Sequence, residues 1–177
     1  MRALTPAKAA AAVLIVDDDL ENTATLHSEQ VFEPRPRGSL YERSDAFIRA
    51  LIDKRTGATR YQLYAELRYY LSWRNFYAAA YADEAGPQDV PLKAIARDVG
   101  NCSSSCEYVE VVAFDIPEER MRKIGEQYDA AEFRPWRFRF KARNGFALDD
   151  QISPAEVAGI LIRVGRYRSE RGWIKAN

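Results

Sequence analysis

Tyr61-Gln62-Leu63-Tyr64-Ala65-Glu66-Leu67-Arg68-Tyr69-Tyr70 alternates along its length. Tyr61, Leu63, Ala65, Leu67 and Tyr69 fall on one side, and Gln62, Tyr64, Glu66 and Arg68 on the other. A period of two puts successive side chains on opposite faces of a strand, so one face meets a core and the other meets water. Just upstream, Phe47 to Asp53 is apolar apart from Arg49. Lys54-Arg55-Thr56-Gly57-Ala58 supplies a glycine-containing turn between the two runs. Strands joined by so short a turn pair antiparallel.

Working outward, the same signals recur. Trp73 to Tyr81 is a further strand candidate, although its alanines also allow helix. Asp83 to Gln88 reads as a loop. Leu92 to Val99 and Glu107 to Phe114 read as strands on either side of Asn101-Cys102-Ser103-Ser104-Ser105-Cys106. Trp136 to Arg143 alternates again. Two helices are signalled in the C-terminal third. Pro117 suits a first helical position, with Glu118 and Glu119 in the first turn and Met121, Ile124 and Tyr128 as the apolar stripe. Ser153-Pro154-Ala155-Glu156 has the form of a capping box, with serine as cap and glutamate reaching back. Val157, Ile160, Leu161 and Val164 follow at helical spacing, with Gly165 placed to end the helix.

These elements predict a single α+β domain over residues 40–177. It would have a predominantly antiparallel sheet of about five to seven strands, with one or two C-terminal helices packed on one face. Residues 1–39 read as an N-terminal arm with short strands, closed by the proline-rich break Glu33-Pro34-Arg35-Pro36-Arg37-Gly38-Ser39. Arg2 and Lys8 precede the apolar run Ala9 to Val16, a pattern shared by a short export signal and by a disordered start entering a first strand.

The bulk numbers agree with a folded domain. The 177 residues are 47% hydrophobic and 12% aromatic, enough to bury a core. Net charge is zero, so no global field steers the chain to nucleic acid or membrane. From Phe133 onward, however, ten Lys/Arg face four Asp/Glu. No apolar run reaches the roughly 18 residues that a spanning helix requires.

Cys102 and Cys106, the only cysteines, sit at a hairpin tip and are placed for a disulfide. Such a bridge would stabilise by about 2 kcal/mol in the chain-entropy model and would fix the hairpin register. It would also place the chain outside a reducing cytosol. Redox dithiols have two intervening residues and open a helix, and a metal site needs about four ligands, so the structural bridge is the favoured reading.

Val13-Leu14-Ile15-Val16-Asp17-Asp18-Asp19 resembles the opening of a response-regulator receiver domain over this short stretch. The resemblance implies a magnesium ion on the acidic cluster. It also implies a phosphoacceptor aspartate at the end of a later strand, a place Asp53 would take. The proline, methionine and glycine that the family carries after that aspartate are absent, as is its alternation of helices and parallel strands. The stretch is therefore read as a strand or arm ending in a solvated acidic cluster, and no cofactor is expected.

Two surfaces are candidates for binding. Period two in the basic strand sets Arg137, Arg139, Lys141 and Arg143 on one face. Four cations in a row suit a polyanion. Arg163, Arg166, Arg168, Arg171 and Lys175 are candidates to extend the patch. Its aromatics Trp136, Phe138 and Phe140 lie opposite, which disfavours base stacking. Among the many aromatics from Tyr61 to Tyr81, the residues expected to face outward toward a partner are Tyr64, Tyr70 and Tyr77.

No motif names a reaction. His27 is the only histidine, and phosphate-binding glycine loops, Gly-x-Ser-x-Gly and His-Glu-x-x-His are absent. Carboxylate pairs such as Asp149-Asp150 and Glu118-Glu119 do not single themselves out. The expectation is a non-catalytic exported or envelope-associated domain, periplasmic or secreted, binding a protein or small ligand through its sheet. The alternatives are polyanion binding through the basic strand, with a cytoplasmic location, and an enzyme built on carboxylates or a dithiol.

Overall fold

A computed structural model describes residues 4–28, 42–102 and 105–173. The chain runs α1 (Pro6–Ala12), β1 (Leu14–Val16), β2 (Thr23–His27), β3 (Glu42–Asp53), β4 (Thr59–Tyr70), β5 (Phe76–Asp83), β6 (Gly86–Pro91), β7 (Lys93–Cys102), β8 (Cys106–Ile116), α2 (Glu118–Glu126), β9 (Trp136–Ala142), β10 (Ala147–Ile152) and α3 (Pro154–Glu170). The fold is α+β and every strand pairing is antiparallel. The strands form two sheets, ordered β1-β2-β3-β4-β8-β7 and β10-β9-β5-β6.

The alternation of β4 holds in the fold. Tyr61, Leu63, Ala65, Leu67 and Tyr69 are buried, and Ile48, Ala50 and Ile52 of β3 join them from the neighbouring strand. Between β4 and β8 the chain leaves for the second sheet and returns, so β8 pairs with β4 across that excursion. The inner face of the small sheet closes on this core. Phe114 lies 6.2 Å from Tyr81, 6.5 Å from Trp136 and 6.4 Å from Phe138 between ring centroids. Phe76 bridges Tyr69 and Phe140 at 5.9 and 6.4 Å. The helices cover the remainder of the same inner face, with Met121, Ile124, Val157, Ile160 and Val164 in the one hydrophobic cluster.

Several expectations need correction in detail. Trp73 to Tyr81 is strand in its second half, β5, and belongs to a second sheet rather than extending the first. Asp83 to Gln88 is partly strand, since β6 starts at Gly86. Its Pro87 and Pro91 are tolerated because β6 is an edge. Gly165 does not end α3, which continues to Glu170.

Residues 14–16 and 23–27, read as part of an arm, supply two strands to the edge of the large sheet. The alanine run before them is helical. Thr5 caps α1, and Ala9 and Ala10 are buried against Gly159 of α3. A Cβ at Gly159 would stand 2.4 Å from that of Ala9, so the glycine sets how closely the two helices approach. The proline-rich break at 33–39 lies outside the described residues.

The receiver-domain resemblance fails on topology, because the sheets are antiparallel. It also fails on the residues. Asp17 accepts from Tyr167 at 2.6 Å and pairs with Lys54 at 2.6 Å and with Arg171. The Lys54 bond, with Tyr167 and the cations beside it, holds the Asp17 carboxyl below the usual range. Asp53 accepts from the N–H and hydroxyl of Thr56 at 2.8 and 3.0 Å and from the N–H of Arg55 at 2.9 Å and so caps its own turn, which likewise lowers its pKa.

Candidate binding face

The large sheet has a second face, opposite the core, over which no described helix or strand packs. Its composition follows from register. Thr25 opposes Leu51, His27 opposes Arg49, Phe47 opposes Tyr64, Arg49 opposes Gln62, Tyr64 opposes Ala113 and Gln62 opposes Asp115. These positions carry the outward phase of β2, β3, β4 and β8.

Two ladders cross the face. The first is aromatic: the ring centroids of His27 and Phe47 are 5.9 Å apart, and those of Phe47 and Tyr64 are 5.1 Å apart. The second is polar. The Arg49 guanidinium lies 4.6 Å above the Tyr64 ring and donates to Gln62 Oε1 at 2.8 Å. Gln62 Nε2 donates to Asp115 Oδ1 at 2.8 Å, and Lys93 Nζ donates to Asp115 Oδ2 at 2.6 Å. One chain of bonds therefore spans β3, β4, β8 and β7. Burial alone would raise the Asp115 pKa, but the Lys93 and Gln62 bonds outweigh it and the net shift is downward.

Toward one end of the same face lies a depression of about 570 Å³. Val16, Thr23, Thr25, Leu51, Asp53 and Arg60 line it, one or two from each of β1 to β4. Asp18, Glu21 and Ala58 complete a mixed lining, and the hollow adjoins the aromatic row, because Leu51 is two residues along β3 from Arg49 and four from Phe47.

The expected surface residues divide between the two sheets. Tyr64 and Tyr70 are half-buried on β4, in the outward phase of the large sheet. Tyr77 is 45% exposed on β5, in the other sheet, with the Arg143 guanidinium 5.5 Å from its ring. The three do not form one patch. The basic strand β9 alternates as expected, with Trp136, Phe138, Phe140 and Ala142 inward. Two of the four predicted cations are ion-paired, while Arg137 and Arg143, the latter just beyond the end of β9, are exposed. Arg139 forks onto Asp149, with one arm at 2.9 Å, and Lys141 holds both oxygens of Asp89 at 2.7 and 2.8 Å. Arg171 turns to Asp17 and Arg163 to Glu170. Lys175 lies outside the described residues.

Cys102 and Cys106 are bonded and oppose one another across the β7–β8 hairpin, Cα to Cα 4.0 Å. The carboxylate pairs do not converge on a cleft. Asp149 faces out to Arg139 while Asp150 faces in; Glu118 pairs with Arg122 and Glu119 with Lys123. Among the described residues no group of His, Cys, Asp and Glu is arranged to hold a metal ion.

Two buried carboxyls, Glu110 and the capping-box Glu156, hold roles that the sequence pattern did not indicate. Glu110 is 1% exposed and organises the connector from β4 to β5. It accepts from the Tyr69 hydroxyl, from the N–H of Asn75 at 2.8 Å and from that of Phe76 at 3.2 Å, and Arg97 reaches it at 3.4 Å. These bonds hold a connector in which Leu71 and Asn75 both have positive φ, 89° and 56°. Burial, reinforced by Glu110, raises the Tyr69 phenol well above its ordinary pKa. The signal was present in the sequence, because Glu110 shares the phase of Tyr108, Val112 and Phe114. The second is Glu156, which does not reach back to the Ser153 N–H but accepts from Ser28 instead. Only half of the capping box forms, the Ser153 hydroxyl accepting from Ala155 N at 3.2 Å.

No family model, no curated protein and no solved structure matches the chain.

Proposed function

We propose that this is a non-catalytic binding domain of an oxidising, extracytoplasmic compartment, and that it docks a partner protein on the outer face of its large sheet. One observation carries the reading: the aromatic row His27–Phe47–Tyr64 and the depression lined by Val16, Thr25 and Leu51 share one face over which no described element packs. Half-exposed aromatics beside a hollow that combines apolar side chains with the charged Asp18, Glu21, Asp53 and Arg60 provide contact area at low entropic cost and polar groups for specificity, which is what protein interfaces select. The charges of the polar ladder satisfy one another, so docking across that ladder would leave few of them unpaired. The disulfide supports the compartment, since such bonds persist outside the reducing cytosol.

The test is site-specific photo-crosslinking in the native host. A crosslinker at Val16 or Tyr64 should capture one discrete partner, whereas one at Arg139 on the other sheet should not. Equal capture from both positions, or from neither, would refute the docking face. Recovery of the protein solely from the cytosol would refute the compartment.

A further inference from the structure

We propose that Glu156 is a proton-held latch: as a neutral carboxyl bonded to Ser28 it docks the first turn of α3 onto the large sheet, and loss of its proton loosens that docking. Four segments meet at this point. Ser28 follows β2, and its N–H donates to Ile48 O at 3.0 Å. The Ser28 hydroxyl accepts from Ile48 N at 2.9 Å, which ties it to β3, and donates to Glu156 Oε1, which ties it to α3. Strand β10 leads into the same turn through Ile152 and Ser153.

The chemistry of the junction opposes a charge. Glu156 is 2% exposed, and its neighbours Ala155, Val157 and Ile160 are buried apolar residues. Among the described residues its carboxyl is bonded by the Ser28 hydroxyl alone. An ion held by one neutral hydroxyl in an apolar setting is costly, whereas the acid is not. The charged groups bearing on it from β3 and β10 are Asp45 and Asp150, and both disfavour a further negative charge. From the end of β2, the His27 ring lies 5.9 Å from that of Phe47 on the outer face. Lys8 of α1 is exposed. The N-terminus of α3 would favour the anion. Burial outweighs it and, with the two aspartates, pushes Glu156 from 4.5 up to about 8.

The sign follows from proton linkage. The folded chain holds this proton more tightly than the unfolded chain. The stabilisation is therefore complete below about pH 4.5, declines above it, and is gone once pH passes about 8.

The experiment is urea denaturation of the full chain from pH 5 to pH 9, for the wild type and for Glu156→Gln, which keeps the shape without the charge. In the wild type the folding constant should fall by up to about tenfold per pH unit inside this window, in excess of the variant. The variant should be the more stable protein at pH 9. Equal slopes, or a wild type more stable than the variant at pH 9, would overturn the proposal. An infrared measurement keeps it falsifiable should the variant not fold. A buried protonated carboxyl band should be present in the wild type at pH 6 and lost above about pH 8. Its absence at pH 6 would overturn the latch.

Discussion

Glu110 and Glu156 are both buried carboxyls, and their partners give them opposite roles. Glu110 gathers a phenol, two backbone N–H groups and the edge of Arg97. Glu110→Ala would strand those donors in the core, each at about 1–3 kcal/mol. A total loss above about 3 kcal/mol is expected in urea denaturation, and a loss below about 1 kcal/mol would show that the connector is held by something else. Asp17 behaves in a third way, as an anion shared by Lys54, Tyr167 and Arg171. Its pKa is lowered, so its contribution is present above the ordinary carboxylate range and is lost as pH falls through and below it. Asp17→Asn should therefore flatten the acid limb of the stability curve, and an unchanged acid limb would remove Asp17 from the network. Much of this was legible in part. The alternation of β8 places Glu110 among core residues, and the helical stripe of α3 places Glu156 one turn before Ile160. The partners were not legible, because Tyr69, Asn75 and Ser28 come from segments far apart in the chain, which only the fold brings together.

Among the elements, those with local chemistry at their ends were the readable ones. Helix α3 begins where serine, proline and an acidic residue coincide, and Ser153→Ala should cost about 1 kcal/mol with only the Ala155 N–H bond lost. An unaltered melting temperature would place the cap elsewhere. Helix α1 was harder to read, because its short alanine run merges into the β-branched residues of β1 and has no stripe of its own. What fixes it is tertiary, the close approach of Ala9 to Gly159. Gly159→Ala should separate the two helices and cost about 1–3 kcal/mol, as overpacking does. A neutral effect on unfolding would show that α1 is not docked there. Strands β6 and β10 were missed for a similar reason: two prolines in one and two adjacent aspartates in the other obscure their pattern, and both are edges. The hairpin of β7 and β8 was legible because its cysteines mark its tip. Reducing them should cost about 2 kcal/mol.

At the scale of the whole molecule, the antiparallel α+β class was readable, but the division into two sheets was not. Nothing in β4 or β5 announces that the chain changes sheet between them; the turn is made by Leu71 to Asn75 under the hold of Glu110. The sheet edges are guarded against further pairing: β1 is three residues long, β6 carries Pro87 and Pro91, and β7 is broken by irregular register at two points. The net charge of zero and the pairing of Arg139 and Lys141 argue against polyanion binding by the small sheet. Retention on a heparin column is expected to be lost by about 0.15 M salt, and retention well beyond it would revive that alternative. What remains distinctive is a large sheet face with aromatics and a hollow, in a fold pinned by a disulfide. The most direct test of an oxidising home for this fold is the intact mass after alkylation, before and after reduction, of protein taken from its native cell fraction. Cys102 and Cys106 should resist alkylation until reduced. Immediate labelling of both thiols would contradict the proposed extracytoplasmic location.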